Sequence, residues 1–585
     1  MSNSSPDKKA TDVVSIKVFL NGTEMNASYK ILSVDVHSAF NKIATAKLTI
    51  ADGDPAKQDF NISSKEDNLF PGNDIEIKMG YHGALKSVFK GIVVKQSIKS
   101  IKNKSSFMSI EAKDKFVNLT LARRSNCFFN KTDSDIIEEI ITKAGLNGTD
   151  KDIAATSTTH TEMVQYNVTD WDFIISRAEM NSMLVLAHNN KLVIKGPDTN
   201  QQAEKEIVYG KEVIEFESET DGRTQTEEVK SHSWDYKDQA KIEGEASSIA
   251  FKENGVPDGK TLAGKFGGKT IDLFHPGRIN KNELKSWSSA RLLKSRLAKN
   301  IGYVKIKGNP EFNPGRMITL KGFGKRFNGN VLVTGVRHGY HEKSIWETEI
   351  HYGMPMNWFY EKNNIMEHAA SGMVPGIQGL HIGIVTQLEN DPEKEDRVKI
   401  QLPLVHGSES LWARVSSLDA GKERGTFFRP EIDDEVVVGF LDGDPRHPVI
   451  LGMLHSSAKP APLKSEDNNH EKGFVTRSKM KLLFNDEKKS ITIETPGGKK
   501  LLISDDADEI SISDSHGNKI LLDPSGIVLE SGKDITYKTS SGTCKIEANN
   551  ISLEAAIKLN ANGKSAANFT SSGQTVLKGS MVNIN

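Results

Sequence analysis

The chain has 585 residues, too many for one hydrophobic core, and a prior of roughly 150 residues per domain divides it into about three to five units. Lys plus Arg number 76 against 77 Asp plus Glu, so no global field selects nucleic acid or an anionic membrane. Cys127 and Cys544 form one bridge at most, which excludes a disulfide framework and suits a reducing compartment.

The segment Met1 to Asp12 is polar (Ser2, Asn3, Ser4, Ser5, Pro6, Asp7, Lys8, Lys9) and lacks the apolar core of a secretory signal. Residues 1–12 are therefore expected to be a disordered tail on a chain made in the cytosol. No run of about 18 apolar residues occurs, so no helix should span a membrane.

From Val13 to about Gly91 the pattern is strand-like: Val14, Ile16 and Val18 alternate, as do Lys47 to Ile50 and Ile75 to Lys78, with turns at Asn21-Gly22, Asp52-Gly53 and Pro71 to Asp74. Thr132 and Asp135 form a capping box ahead of Ile136, Ile137, Ile140 and Ile141, and Gly145 ends that helix. Thr169 and Asp172 repeat the box before Phe173, Ile174 and Ala178. The chain then turns acidic through Glu212, Glu215, Glu217, Glu219, Glu227 and Glu228. A third helix is predicted from about Asn282 to Ala298, with Leu292, Leu293 and Leu297 on its apolar side, before strands return from Gly302 to His351. Residues 13–364 thus read as an α+β unit with two barrel-like β parts and helical inserts.

Residues 365–378, with Ser371, Gly372, Pro375 and Gly376, read as a linker, and residues 456–479 as a second. Between them, residues 379–455 read as strands at His381 to Gln387, Arg397 to Leu402, Leu411 to Val415, Glu435 to Phe440 and Pro448 to Leu454. A Greek-key barrel such as the OB-fold removes the edges of five such strands. Residues 480–585 carry apolar pairs two apart: Ile491 and Ile493, Ile510 and Ile512, Ile535 and Tyr537, Ile551 and Leu553, Ile557 and Leu559, then Val582 and Ile584. Through Leu559 the pairs recur roughly every six to ten residues, a repeat too short to bury its own face, so it must stack.

Stretches that tempt a chemical reading have plainer ones. Gly259 to Lys265 and Gly264 to Thr270 are near misses of a phosphate-binding loop, with Phe266 and Ala263 at the failing positions, and read as glycine-rich loop. Asp505, Asp506, Asp508 and Glu509 lack the spacing of a calcium loop and read as a solvated turn. Asp442, Asp444 and His447 read as a tight turn, both cysteines as packing residues, and Lys86 to Lys104 as a solvated strand face. No catalytic residue, cofactor site or metal site is assigned, and no nucleic acid is expected as a partner.

The middle segment resembles a known family. Trp412-Ala413-Arg414-Val415, the stretch Gly425 to Pro430, Glu435 before Val436, then Gly443-Asp444-Pro445, Pro448 and Gly452 fall in the order of the OB domain shared by VgrG proteins of type VI secretion and contractile phage-tail spikes. The stretches Leu69 to Val93 and Asn167 to Leu186 resemble, less sharply, the baseplate-hub half of the same proteins. The resemblance implies a homotrimer whose hub caps a tube of hexameric rings among baseplate components and whose OB domains form a neck. It implies a C-terminal intertwined trimeric β-helix that carries a PAAR-type tip protein, with Met581, Val582, Asn583, Ile584 and Asn585 as the docking end. It also implies cytoplasmic assembly without a signal peptide, export by the machine, effectors as cargo and a target membrane crossed transiently. The alternatives are a prophage tail spike or the spike of an extracellular injection particle, a receptor-binding fibre, or an enzyme hidden in the hub; no separate enzyme domain is expected between His455 and Met480 or after Asn585.

Overall fold

A computed structural model describes residues 13–102, 106–146, 148, 150–362, 365–405 and 410–584; the tail expected over residues 1–12 lies outside them. The chain is mostly strand with few helices, as the alternation predicts, and divides into two compact units. The first comprises residues 1–379 with 440–448, the second residues 380–439 with 449–585.

In the first unit the sheet strands are β1 (Val14–Leu20), β2 (Ile31–Ala39), β3 (Thr45–Ala51), β4 (Asp74–Tyr81), β5 (Ala84–Lys99) and β6 (Phe107–Lys113). After the helical region come β7 (Val213–Thr220), β8 (Asn300–Lys307), β9 (Gly329–His341) and β10 (Glu347–Tyr352). They lie side by side in the order β7-β8-β10-β9-β2-β3-β6-β5-β4-β1. Period-two alternation sets the faces: in β2, Val34 and Val36 are buried while Asp35 and His37 point the other way.

Curling divides the buried side into two cores, one holding Val18, Leu48, Ile50, Ile77 and Ile110, the other Val304, Ile306, Val333, Val336 and Ile350. Trp346, at the head of β10, is fully buried in the first of these, its ring 5.3 Å from that of Tyr81. Gly308 leaves room for it, since a Cβ there would stand 2.0 Å from the indole.

The opposite, polar face, from β7 across the sheet to β5, carries charges of alternating sign on successive strands. Glu215 of β7 pairs with Lys305 of β8, which lies opposite Glu349 of β10. Glu349 lies opposite Arg337 of β9, which reaches Asp35 of β2 at 2.5 Å. Asp35 lies opposite Lys47 of β3, Lys47 opposite Glu111 of β6, and Glu111 opposite Lys95 of β5 at 3.5 Å. The face is concave, enclosing about 950 Å³.

Helices α1 (Asp133–Lys143), α2 (Asp170–Met180) and α3 (Lys281–Leu297) lie close to the predicted positions. The Thr132 hydroxyl accepts from the Asp135 amide at 3.2 Å and the Asp135 carboxylate accepts from the Thr132 amide, which completes the capping box. Ile136, Ile137, Ile140 and Ile141 enter a third core with Trp171, Ile174 and Val185. Ile365 is buried in that core too, and its carbonyl accepts from Arg123 at 2.8 Å, so the segment read as a linker from residue 365 starts inside a packed region.

Buried ions fasten the helices together. Asp133 accepts from Arg177 Nε at 2.7 Å and from Asn181 Nδ2 at 2.8 Å, and it bonds His160 Nε2 at 3.1 Å. Burial opposes charge on Asp133, yet the His160, Arg177 and Asn181 hydrogen bonds win and hold its carboxyl well below the usual carboxylate range. Lys294 on α3 pairs with buried Glu179 at 2.6 Å, and Lys299 and Arg296 approach Glu253 at 3.1 and 3.4 Å.

A depressed carboxyl pKa stabilises the fold above the unfolded value, near 3.9, and that contribution is lost as pH falls toward the folded value. Asp133→Asn should cost about 3 kcal/mol at pH 7, because it removes the nearer carboxylate of buried Arg177 and leaves it only Glu283 at 3.3 Å, and should flatten the acid limb below about pH 4. Urea unfolding of the first unit at pH 7 and pH 3, followed by helical signal, checks both.

Candidate assembly surfaces of the barrel and the spike

The second unit begins with strands β11 (His381–Gln387), β12 (Val398–Gln401), β13 (Leu411–Val415), β14 (Glu435–Phe440) and β15 (Pro448–Met453). They close into a barrel in the order β11-β12-β13-β15-β14, with β13 and β15 parallel. Val385, Val398, Ile400, Ala413, Val436, Val438 and Ile450 fill its interior without exposure.

The barrel signature residues serve geometry. Trp412 lies opposite Lys399 on β12, whose ammonium stands 5.9 Å above its ring, and Arg414 lies opposite Val449. Gly425 turns a two-residue hairpin against Ala420 at φ 137°, and a Cβ there would meet the Asp419 carbonyl at 2.3 Å. Pro430 is buried, and the Glu435 carbonyl accepts from the Leu454 amide at 3.0 Å.

Gly443, Asp444 and Pro445 form the turn between β14 and β15, where Gly443 has φ 67°. Asp444 is buried, and hydrogen bonds from Arg446, side chain and amide, hold its carboxyl down at about 2. His447 donates its amide to the Asp444 carbonyl at 3.0 Å, so Asp442, Asp444 and His447 build a turn rather than converge on a substrate. Pro448 starts β15, and Gly452 has no atom within 4 Å of where a Cβ would stand.

Beyond the barrel, β16 (Glu471–Val475), β17 (Lys481–Asn485), β18 (Ser490–Glu494), β19 (Lys500–Ser504), β20 (Glu509–Ser513), β21 (Lys519–Asp523) and β22 (Gly526–Glu530) form a 7-stranded antiparallel meander. It starts inside the stretch 456–479 read as a linker: Phe474 of β16 stacks on Phe428 at 5.1 Å, and Arg477 reaches Glu431 at 2.8 Å. Asp505, Asp506 and Asp508 occupy a hairpin turn closed by the Ala507 amide on Ser504 Oγ at 3.1 Å.

One face of the meander is a continuous apolar surface two residues wide. Phe484, Ile491, Ile503, Ile510, Leu522 and Ile527 lie opposite one another in one column. Phe474, Leu482, Ile493, Leu501, Ile512, Ile520 and Leu529 form the other. Within the chain this face is uncovered: Ile491 is 38% exposed, Ile493 46%, Ile510 42% and Ile512 51%.

After Glu530 no described residue pairs in a ladder. The chain instead bends at residues 532–533, 540–542, 549, 556–557, 564–565, 572–573 and 580, about every eight residues. The second and fourth residues after each bend are Ile535 and Tyr537, Cys544 and Ile546, Ile551 and Leu553, Leu559 and Ala561, Ala567 and Phe569, Thr575 and Leu577, Val582 and Ile584. One predicted pair, Ile557 with Leu559, falls out of phase with these positions. Ile557 lies in a bend at 98% exposure, and the partner of Leu559 is Ala561, which is too small to register as apolar alternation. Met581, Val582 and Ile584 are exposed, Asn583 likewise, and Asn585 lies outside the described residues.

The near-miss phosphate loop is a short helix, Gly259–Gly264, whose first amide donates to Glu253 at 2.8 Å. A carboxylate of the chain itself occupies the place a phosphate would need.

The closed barrel with its ribbon defines the class. Residues 381–455 match the model of the type VI secretion system/phage-baseplate injector OB domain. Over residues 10–342, more than half its length, the chain matches the Alg8 N-terminal domain model and belongs to that family. The resemblance to VgrG-type spike proteins is borne out by curated relatives. The spike protein VgrG5 of Pseudomonas aeruginosa is 26% identical over 235 residues, which is 35% of this chain and 29% of that protein. VgrG1a of the same organism is 39% identical over 69 residues, which is 12% of this chain and 11% of that protein. The matched stretches thus span less than a third of either relative. Among solved structures, a tail protein from Neisseria meningitidis MC58 has TM-score 0.44 and 13% identity, over 59% of this chain and 98% of its own. No helix of the described residues is long and apolar enough to cross a membrane.

Gly425 and Gly452, two of the three glycines of the barrel signature, should respond differently to a methyl group. Gly425→Ala should speed amide exchange in the 419–426 hairpin about fivefold or more, given strain of about 1 to 3 kcal/mol, whereas Gly452→Ala should leave its strand unchanged. Hydrogen exchange with mass detection separates the two.

Proposed function

We propose that this chain is the structural spike of a contractile injection machine, acting as a homotrimer that caps the tube, punctures the target membrane and carries effectors with a tip protein. The observation that carries the reading is the uncovered apolar face of β16 to β22, continued by the eight-residue repeat after Glu530. A fully buried aliphatic side chain is worth about 1.5 to 3 kcal/mol, so covering a face of half-exposed side chains this long supplies on the order of ten kcal/mol per copy. Association costs about 4 to 15 kcal/mol, so a copy-on-copy assembly is within reach.

Three copies placed face to face put their apolar columns in one interior and leave the lysines and glutamates of the other face in water. The ribbon after Glu530 has no strand neighbour in its own chain and takes neighbours from the other copies, as an intertwined trimeric β-helix requires. Hub contacts to a hexameric tube and to baseplate components follow from the family resemblance. The task is mechanical and asks for no catalysis, cofactor or metal of the chain's own.

The full chain should sediment as a trimer, and mild oxidation should crosslink copies through Cys544, which occupies the second position after its bend. Ile510→Asp with Ile512→Asp should abolish both, because charge in the shared interior costs several kcal/mol per copy. A monomeric wild-type chain in analytical ultracentrifugation would overturn the trimer.

The family resemblance makes Met581 to Asn585 the proposed docking face for the PAAR-type tip protein, and the described residues Met581, Val582 and Ile584 present exposed apolar side chains there. Deleting Met581 to Asn585 should remove tip-protein co-purification while trimer sedimentation persists; undiminished capture would move the docking face elsewhere.

A further inference from the structure

The helical region of the first unit contains a small sheet whose open edge runs beside a helix. Its strands are Glu228–Asp235, Ala240–Ala246 and Thr270–His275, with Glu228–Asp235 in the middle. The strand Ala240–Ala246 therefore has a strand neighbour on one side only. Gly244 lets it lie against α3, since a Cβ there would stand 2.7 Å from Leu284. The Ser231 hydroxyl donates to the Leu284 carbonyl at 2.8 Å, and the Ser288 hydroxyl donates to that of Ser231 at 2.8 Å, which fastens the helix to the sheet.

With the helix held this close, its flank and the strand edge become the two sides of one groove of about 680 Å³. The helix side carries Lys281, Asn282, Lys285 and Ser289, a single stripe because residues four apart share a helix face. The sheet side carries Glu243 and Glu245, which are exposed while Gly244 and Ala246 between and after them are buried. Glu243 approaches His232 Nδ1 at 3.2 Å. The side chains of Glu245, Lys281 and Lys285 have no ion-pair or hydrogen-bond partner among the described residues. An open edge of amides and carbonyls is a template for another strand, and here it is flanked by unused charge of opposite sign on its two sides.

We propose that this groove binds an extended peptide segment of another protein as a fourth strand on the Ala240–Ala246 edge, with acidic side chains toward Lys281 and Lys285 and basic ones beside Glu243 and Glu245. Successive side chains of a strand point to opposite faces, so the segment that fits alternates in sign from one residue to the next. Main-chain hydrogen bonds to the edge supply affinity, and the alternate side chains supply the choice of partner. Each copy carries its own groove, so the inference stands apart from the trimer reading.

The test measures fluorescence anisotropy of a labelled eight-residue peptide of alternating Glu and Lys titrated with the full chain. A peptide of four Glu followed by four Lys has the same composition and serves as the control. The alternating peptide should bind at least tenfold tighter than the block peptide. Two further versions carry N-methyl groups on every second residue, one in each frame. A bound strand turns alternate amides toward the edge, so one frame should keep the parent affinity and the other should lose at least tenfold. Lys281→Glu with Lys285→Glu, both exposed and clear of the core, should weaken the alternating peptide several-fold with the circular dichroism of the chain unchanged. No binding, equal binding of alternating and block peptides, or equal binding of both methylated frames would each overturn the strand-acceptor groove.

Discussion

A strand is finished only when both of its edges are hydrogen-bonded and its apolar face is covered, and the regions of this chain meet that constraint to different degrees. The barrel β11 to β15 meets it alone, with a closed ring of strands around an interior led by Val398, Ile400 and Val436. The large sheet meets it for its faces, by curling around two cores, but leaves the edges of β7 and half of β5 open. The meander meets it for most of its backbone and not for its apolar face. The ribbon after Glu530 meets it for neither. What a region leaves undone defines what it asks of another copy.

Charge is used in the same local way. A net charge of −1 conceals an ordered pattern, because the ions of the first unit are placed in register rather than scattered. Exposed pairs such as Lys95 with Glu111 contribute about 0 to 1 kcal/mol each, so their weight lies in choosing register and partner. The buried pairs are different. Asp133 with Arg177, Glu179 with Lys294 and Glu253 with Lys299 join α1, α2, α3 and the preceding loops at points where an unpaired ion would cost several kcal/mol. The helical insert is thereby held to one arrangement.

Much of this was legible from residues close in sequence. Thr132 with Asp135 and Thr169 with Asp172 announce their helices because a cap and its partner lie within one turn, and the barrel strands follow from alternation between turn formers. Contacts between distant residues left no such trace. Arg337 and Asp35 are 302 positions apart, and Trp346 reaches across to Tyr81, so neither the charge alternation nor the closing of the first core shows in any window of sequence. The repeat after Glu530 was legible in its larger pairs, such as Ile535 with Tyr537 and Ile551 with Leu553, but its eight-residue period was not, for another reason. Its apolar positions include Cys544, Ala561, Ala567 and Thr575, and small side chains blur a period that the backbone bends keep.

The meander and the ribbon also imply an order of assembly for a trimer. Strands β16 to β22 hydrogen-bond to one another within a chain, so each meander can form before copies meet, at the local-contact cost of successive hairpins. In the proposed trimer the ribbon, whose described residues form no ladder within their own chain, would take its backbone partners from other copies, so its ordering entropy would be met only after those copies are in register. Faces that match over seven strands set that register and leave the ribbon to close behind them. A register error would place Gly532 and later bends beside extended segments of another copy, and the meander face is long enough to exclude it first.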